Sequence, residues 1–180
     1  MKKKQIIILL FCLFGLSVNA QIKTSEKDSL EIAKVEKLLI GEWNFIKTVD
    51  KKNNEIKYVI KDYKDPFGEE IKIVANGPEL KLNENHTYLM KFTEINSDIG
   101  NWKLLSKNKI IYKMVIKKNS KDGEMLTETQ NVLEAKWDLD KDGNYINNST
   151  DEIISINETE LRIKYEKKYI LIYKKKKNIR

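Results

Sequence analysis

The chain is poor in the residues that most often carry enzyme chemistry. Its 180 residues include one cysteine and one histidine, and its seven glycines are scattered. Cys12 lies in an N-terminal segment that we expect to be removed, so the remaining chain has no disulfide, no cysteine nucleophile and no cysteine-ligated metal. The glycines form no phosphate-binding loop. We therefore predict no catalytic residue, no metal site and no cofactor, and a fold held together by its apolar core alone.

Long apolar runs are also absent, except at the N-terminus. Residues 1–20 are predicted to be a signal peptide, because "MKKK" is basic, residues 6–18 are apolar, and small residues precede a cleavage point after Ala20. A helix of that apolar segment would span roughly 20 Å, less than the bilayer core of about 30 Å. We therefore expect an exported protein, periplasmic or secreted, with no membrane association after cleavage.

Charge of one sign is not concentrated anywhere between residues 21 and 173. The chain has 34 Lys and Arg against 27 Asp and Glu, a net charge of +7, which falls to +4 when Lys2–Lys4 leave with the signal peptide. Lysines alternate with glutamates and asparagines, and residues 174–177 form the only basic block. This pattern predicts a solvated basic tail at residues 176–180 and no nucleic-acid partner.

One helix is predicted near the start of the exported chain, after a lead-in that begins at residue 21. Ser25 can cap it, and Leu30, Ala33 and Leu38 share one helical face. The helix is expected over residues 26–39 and ends before Gly41. Residues 21–37 are therefore assigned to an N-terminal lead-in and residues 38–175 to the main domain.

Most of the remaining sequence alternates with a period of two, which is typical of strands with one buried face. In "HTYLMKFT", for example, His86, Tyr88, Met90 and Phe92 share a side. Residues 56–63 form either another strand or part of a long loop over residues 50–82. The predicted strands lie near residues 42–49, 70–75, 86–93, 99–106, 109–118, 125–139, 152–157, 160–165 and 169–175.

The segment 125–139 has the longest alternation. Helical spacing would also align Leu126, Leu133 and Trp137, but it would leave Met125 and Val132 off the apolar face. We therefore predict a strand here. Turn sequences such as "DPFG" and "DKDG" separate the runs, and no crossover helix is indicated. An all-β fold follows: an antiparallel up-and-down barrel of eight to ten strands with one short N-terminal helix.

The join between helix and barrel has a specific sequence. Gly41 permits a sharp turn, and Trp43 is predicted to plug one end of the barrel. This Gly-x-Trp resembles the first strand of the lipocalin superfamily. "LKLNENHTYLMKF", "GNWKLLSKNKIIY", "IISINETELRIKY" and "YILIYKKK" are similar to the strands of bacterial secreted lipocalin-like domain proteins, over residues 38–175. Larger lipocalins carry an Arg just past the last strand, where this chain has Lys174–Lys177.

Two motifs admit a functional and a structural interpretation. Residues Asp138–Asn144 have the acid spacing of a calcium loop, but the twelfth position is Ser149 instead of an acid, which favours a hairpin turn. His86 is the only candidate base, and no serine motif accompanies it. We interpret His86 as a residue that lines the barrel or its rim.

An eight-stranded barrel either fills its interior with side chains or holds one small ligand, and the sequence is consistent with both. The first hypothesis is a non-catalytic protein that binds a small apolar or amphipathic ligand in the barrel. The alternative is a filled barrel that meets another protein or an envelope component through its surface and the 50–82 loop. The predicted lining residues are Tyr88, Met90, Phe92, Trp102, Tyr112, Met114 and Trp137.

Overall fold

The computed structural model describes residues 28–133 and 137–177. The predicted signal peptide, the first two residues of the predicted helix and the last three residues of the basic tail lie outside these ranges. No helix in the part of the chain described has the length and apolarity needed to cross a membrane.

The N-terminal helix is confirmed from residue 28. Helix α1 covers residues 28–39 of the part described, and its last residue, Leu39, is fully buried. Gly41 follows with φ +135°, a backbone conformation that favours glycine, and begins the first strand. An added Cβ at Gly41 would lie 2.7 Å from Cε of Lys175, so the turn is also too crowded for a side chain.

The predicted all-β antiparallel barrel is confirmed. Eight strands form its wall in the order β1, β4, β5, β6, β7, β9, β10 and β11, and β10 closes the ring by pairing with both β9 and β11. Strand β8 adds to the edge of β9, and β2 and β3 form a separate hairpin. The strands are β1 (Gly41–Asp50), β2 (Tyr58–Lys64), β3 (Glu70–Val74), β4 (Glu79–Leu82), β5 (Thr87–Lys91), β6 (Ser97–Ser106), β7 (Lys109–Ile116), β8 (Asp138–Leu139), β9 (Tyr145–Ile156), β10 (Glu160–Tyr165) and β11 (Tyr169–Lys175).

The prediction of a long loop over residues 50–82 was wrong. This segment contains the β2–β3 hairpin and the whole of β4, and the run at 56–63 is largely β2. Strand β4 has only four residues, "ELKL", which is too short to show a clear period by itself. It is nevertheless a wall strand, because Leu80 and Leu82 are buried and pair with Met90 and Tyr88 of β5.

The prediction of a strand over residues 125–139 was also wrong. Helix α2 spans Lys121–Leu133, and the next strand, β8, begins only at Asp138. Ser120 caps the helix: its Oγ accepts a hydrogen bond of 3.2 Å from the Gly123 amide. Asp122 and Glu124 then lie in the first turn, where negative charge stabilises the helix N-terminus. These local signals outweigh the apparent alternation.

The core lies inside the barrel. Residues opposite each other in neighbouring strands point to the same face, so the paired residues Trp43, Leu80 and Met90 all project inward. Burying this apolar surface contributes about 25 cal/mol per Å² to the stability of the fold. The buried core residues are Leu39, Trp43, Leu80, Leu82, Tyr88, Met90, Trp102, Ile110, Tyr112, Ile153, Leu161, Ile163, Leu171 and Tyr173.

Candidate ligand-binding site

One end of the barrel is sealed by α1 and the first strand. Trp43 is fully buried, and its Nε1–H donates a hydrogen bond of 2.8 Å to the carbonyl oxygen of Leu39. The Lys175 ammonium lies 5.0 Å from the centre of the Trp43 ring and donates to the carbonyl oxygen of Leu38 at 2.7 Å. The structure thus places Trp43 in the plugging position, and this end, which we call the helix end, offers no entry.

The structure brings most of the predicted lining residues into the interior. Tyr88, Met90, Trp102 and Tyr112 are each exposed by 9% or less and belong to one cluster. Met114 is half-buried, two residues beyond Tyr112 on the same face of β7. Trp102 lies towards the helix end, where its Nε1–H donates to the carbonyl oxygen of Asn83 at 3.3 Å, and the other four side chains also face the interior. We call the end of the barrel opposite α1 the mouth end.

Two predicted lining residues lie outside the interior. Phe92 follows the last residue of β5, where its amide bonds to Asn96 in the turn, and its side chain is 44% exposed. Trp137 immediately precedes β8 and is 39% exposed. The first prediction extended a strand past its end, and the second depended on the incorrect strand at 125–139. Neither residue is a lining residue.

His86 lies in the turn before β5, at the helix end. His86 has φ +60° and is not part of a strand. The centre of its ring lies 5.4 Å from that of the Trp102 ring, and its Nε2 lies 3.5 Å from Oε1 of Glu36 in α1. The prediction that His86 extends β5 was therefore wrong. These contacts join the turn to the helix.

The segment Asp138–Asn144 forms a hairpin between β8 and β9. Gly143 has φ +78°, and the Asp140 carboxylate accepts hydrogen bonds from the amides of Asp142 and Asn144 and from the Asn144 side chain. These hydrogen bonds lower the pKa of Asp140, and the bond from the backbone amide of Asn144 has the largest effect. Within residues 28–133 and 137–177, no three acidic, histidine or cysteine side chains lie close enough together to hold a metal ion.

The barrel wall is incomplete along β9. Residues 145–152 pair with β7 on one side, but β10 pairs only with the other end of β9, from Ile153 to Ile156. Asn147 and Ser149 point towards the interior, because they pair with Met114 and Tyr112, yet both are exposed. A cleft of about 330 Å³ lies on the outer side, beside Thr150 and Glu152. We call the stretch of β9 that pairs on one side only, residues 147–152, the β9 gap.

Tyrosines and carboxylates line the interior beside the gap. The rings of Tyr88 and Tyr112 meet edge to face, with centroids 5.1 Å apart. Asp151 points inward from β9, since it pairs with the buried Ile110, and its charge acts on both Tyr112 and Tyr173. Asp98 points inward from β6 opposite Met90, and its charge acts on Tyr88.

Burial determines the protonation of these groups. It raises the pKa of Asp98, and it raises that of Asp151 despite the opposing effect of the nearby Tyr112 hydroxyl. Burial, with the charge of Asp98, raises the pKa of Tyr88 to about 12. Burial raises the pKa values of Tyr112 and Tyr173 further. The phenols are therefore neutral at pH 7, while ionisation of the two aspartates is disfavoured by desolvation.

Two hydroxyl groups in the barrel wall lack partners. Tyr112 is 1% exposed and Thr48 is 1% exposed, and neither hydroxyl has a hydrogen-bond partner among the residues described. The Asp151 carboxylate is near the Tyr112 hydroxyl without forming a hydrogen bond of standard geometry to it. A buried polar group without a partner costs about 1–3 kcal/mol, so native structures usually pair such a group with another protein group or with ordered water.

The β2–β3 hairpin lies against the β10–β11 turn at the mouth end. The Lys61 ammonium donates to the Tyr165 hydroxyl at 2.8 Å and to Glu166 at 2.9 Å, and the Ile60 amide donates to the Tyr169 hydroxyl at 3.1 Å. Burial lowers the pKa of Lys61, but its interactions with Tyr165 and Glu166 together raise it by more, so the pKa of Lys61 lies above its ordinary value. The ammonium therefore stays charged and fixes the hairpin.

The analysis of apolar faces missed the polar members of this interior. Asp98 is four residues before Trp102, so the period of two could have placed it on the inner face. Asp151 and Thr48 are polar residues without an apolar pattern around them, and only the strand register reveals their direction. Tyr173 lies in the predicted last strand and faces inward opposite Phe45.

Comparisons with known proteins give two solved structures that align with the chain at low sequence identity. No protein-family model and no curated protein matches the chain. A crystal structure of a lipocalin-like protein from Bacteroides uniformis aligns with 12% identity and a TM-score of 0.41, over 77% of this chain and 99% of that one. A crystal structure of an uncharacterized protein from Bacteroides eggerthii aligns with 13% identity and a TM-score of 0.38, with the same coverage.

The fold itself defines the class of protein. Eight antiparallel strands in up-and-down order, closed into a barrel behind an N-terminal helix and a buried Gly-x-Trp, form a lipocalin-like β-barrel. The resemblance derived from the sequence is thus confirmed at the level of the fold. A barrel of this kind can hold one small ligand.

Proposed function

We propose that this protein binds one small amphipathic molecule in the barrel, beside the β9 gap, without changing it chemically. The observation that carries the proposal is the Tyr112 hydroxyl, which is buried and faces the interior; the Asp151 carboxylate is near it but forms no hydrogen bond of standard geometry to it, so it lacks a well-placed partner in the part of the chain described. A ligand with one polar group would supply that partner, and its apolar part would lie against Met90 and Met114.

The proposal places the polar and apolar parts of the ligand in different regions. The helix end is packed with large apolar side chains around Trp43, so it stabilises the fold. The Tyr112 hydroxyl and the carboxylates of Asp98 and Asp151 face the interior, and the inward-facing Asn147 and Ser149 of β9 are exposed. Affinity would come mainly from apolar ligand surface, at about 25 cal/mol per Å² buried, and specificity from the polar groups.

The experiment is native mass spectrometry of the purified protein after incubation with lipid and metabolite extracts. We expect a mass adduct that organic extraction removes, and weaker retention of that adduct by Tyr112→Phe, which deletes only the hydroxyl. Tyr145→Phe is the matched control, because the Tyr145 hydroxyl already has a partner, Thr127 Oγ1 at 2.7 Å. An unliganded mass with every extract would contradict the proposal.

The alternative, an interaction module, is favoured by the exposed turns at the mouth end. Phe67, in the β2–β3 turn, is 91% exposed, and Ile95, between β5 and β6, is 99% exposed. Large apolar residues at such positions are typical of contact surfaces when they lie together. The test is a pull-down comparing the wild-type protein with Phe67→Ser. A partner lost with this variant, and no ligand in the barrel, would favour the alternative.

Export also remains a proposal, since residues 1–20 lie outside the residues described. We propose cleavage after Ala20 and release into the periplasm or the medium. The intact mass of protein recovered from the cell envelope and the medium tests this. The expected N-terminal residue is Gln21, and a mass that includes residues 1–20 would contradict it.

A further inference from the structure

The interior of the barrel carries two carboxylates without a matching cation in the part of the chain described. Asp151 and Asp98 both point inward by strand register, and neither forms an ion pair within residues 28–133 and 137–177. In the part of the chain described, the Tyr112 hydroxyl favours the Asp151 charge, and desolvation disfavours the charge of Asp98. Partly buried carboxylates normally have a cationic or hydrogen-bonded partner.

The partly buried lysines of the barrel do not supply this cation. The Lys175 ammonium is at the helix end, where it donates to the Leu38 carbonyl oxygen. The Lys61 ammonium is at the β10–β11 turn and is already paired with Glu166 at 2.9 Å. Lys109 and Lys113 flank Tyr112 on β7 but point outward and are exposed. The chain has a net positive charge, yet this part of its interior is acidic.

Aromatic rings surround the same space. Tyr88 and Tyr112 meet at 67° with centroids 5.1 Å apart, and Tyr173, which is 1% exposed, is close enough to Asp151 for its charge to act on the phenol. Aromatic faces attract cations, and the attraction is stronger when water is excluded. Phenol oxygens and carboxylates can both accept hydrogen bonds from an ammonium group, which has only donors.

We propose that the ligand of the barrel is a primary-amine amphiphile, whose ammonium group donates to the Asp151 carboxylate and to the Tyr112 hydroxyl oxygen. The apolar part of the ligand lies against Tyr88, Met90 and Met114 towards the mouth end. Asp98, nearer that end, adds negative charge along the entry. This inference rests on the proposed function, and it names the chemical class of the ligand. A fatty-acid carboxylate would instead add a third negative charge to the site.

The test compares three probes of equal chain length at pH 7: n-octylamine, n-octanol and n-octanoate. Binding is measured by isothermal titration calorimetry on the purified wild-type protein. We expect n-octylamine to bind at least 10-fold more tightly than n-octanol, and n-octanoate to bind most weakly. Asp151→Asn is expected to reduce the preference for the amine by about 10-fold and to leave n-octanol binding within about 2-fold.

Two further variants make the result specific. Asp98→Asn, checked for folding by circular dichroism, serves as a second acidic variant in case Asp151→Asn does not fold, and it should also reduce the amine preference. Asp140→Asn removes a carboxylate in the β8–β9 turn, which is already hydrogen-bonded, and should leave the preference unchanged. An equal loss with Asp140→Asn would indicate an effect of net charge and overturn the inference.

The outcomes separate the two proposals. If n-octanol or n-octanoate binds as tightly as n-octylamine, the amine inference is wrong and barrel binding stands. If none of the three probes binds and extracts also leave the protein unliganded, both proposals are wrong. Tight amine binding that Asp151→Asn and Asp98→Asn both leave unchanged would place the ammonium elsewhere and overturn the inference.

Discussion

The indole N–H of Trp43 donates a hydrogen bond of 2.8 Å to the carbonyl oxygen of Leu39, the last residue of α1. The last carbonyls of a helix have no partner within the helix, so they must find one elsewhere. The Lys175 ammonium likewise donates a hydrogen bond of 2.7 Å to the carbonyl oxygen of Leu38. Residues from the first and last strands of the barrel therefore fix the helix, and one side chain both plugs the barrel and caps α1.

Replacement of Trp43 is expected to cost more than the loss of apolar area alone. Trp43→Phe removes the hydrogen bond and leaves a small cavity, and should lower the free energy of unfolding by about 1–3 kcal/mol. Trp43→Ala should lower it by about 3–5 kcal/mol. Trp137→Phe is the control, because Trp137 is 39% exposed and should change stability by less than about 0.5 kcal/mol. Urea unfolding followed by circular dichroism measures all three, and equal losses for the two Trp→Phe variants would contradict the prediction.

The hairpin β2–β3 should depend on Lys61. This ammonium bonds to Tyr165 and Glu166, and the side chains of Lys61 and Glu166 are 18% and 15% exposed. Lys61→Met keeps the aliphatic stem and removes the charge, which should lower the free energy of unfolding by about 2 kcal/mol and speed hydrogen exchange at the Ile60 amide.

Lys47→Met is the control for Lys61→Met. The Lys47–Glu55 pair is longer, at 3.4 Å, and its side chains are 40% and 64% exposed, so its loss should cost less than about 1 kcal/mol. Hydrogen-exchange mass spectrometry resolves the hairpin peptide. Unchanged exchange at residues 58–64 in Lys61→Met would show that other contacts fix the hairpin.

The limits of sequence analysis follow a physical pattern in this chain. Strands β6, β10 and β11 were predicted to within two residues, because one face of each is buried and apolar. The first seven residues of β9, "YINNSTD", were missed because their inward side chains, Asn147 and Ser149, face an open gap and give no apolar alternation. The same opening that hides the strand from pattern analysis exposes the proposed ligand site.

Helix α2 was predicted as a strand for a different reason, since its sequence does show an apparent alternation. Its apolar residues fit a period of two nearly as well as a period of 3.6, so the apolar pattern by itself does not distinguish a strand from a helix. The Ser120 cap and the acidic first turn were the signals that could have identified it. The hydrogen bond between Thr127 and Tyr145 joins α2 to β9, and no pattern in the sequence predicts a contact between those two residues.

Gly100 should be required for packing in the barrel wall. An added Cβ would lie 2.3 Å from the backbone oxygen of Lys113 and 2.9 Å from Cε1 of Tyr88, so the β6 backbone lies too close to its neighbours for a side chain. Gly100→Ala should therefore lower the free energy of unfolding by about 3 kcal/mol and alter the near-ultraviolet circular dichroism of the tyrosines.

Gly68→Ala is the comparison for Gly100→Ala. Gly68 has φ +87° but open space around it, so its substitution strains the backbone without a clash and should cost about 1–2 kcal/mol. The near-ultraviolet circular dichroism spectrum of Gly68→Ala should match that of the wild-type protein. A Gly100→Ala variant as stable as Gly68→Ala would mean that the strand adjusts to admit the methyl group.

The two aspartates at positions 151 and 140 should give opposite pH dependences of stability. Burial raises the pKa of Asp151 above its unfolded value near 3.8, and Tyr112 and Tyr173 are the titratable groups that face it. The folded state therefore binds more protons than the unfolded state between these two pKa values, and the contribution of Asp151 to stability falls as pH rises through that window. Asp151→Asn removes this titration, so its stability relative to wild type should rise between pH 4 and pH 7.

Asp140 has the reverse sign. Hydrogen bonds from Asn144 lower its pKa, so its stabilising effect is present above pH 3.8 and is lost as the pH falls through the folded-state value. Asp140→Asn should therefore be less stable than wild type at pH 7, and the deficit should shrink below pH 3.8. Chemical unfolding at pH 3, 4, 5.5 and 7 measures both variants. A stability difference between Asp151→Asn and wild type that stays constant from pH 4 to pH 7 would show that this carboxylate is solvated, and the site around Tyr112 would then lack its buried negative charge.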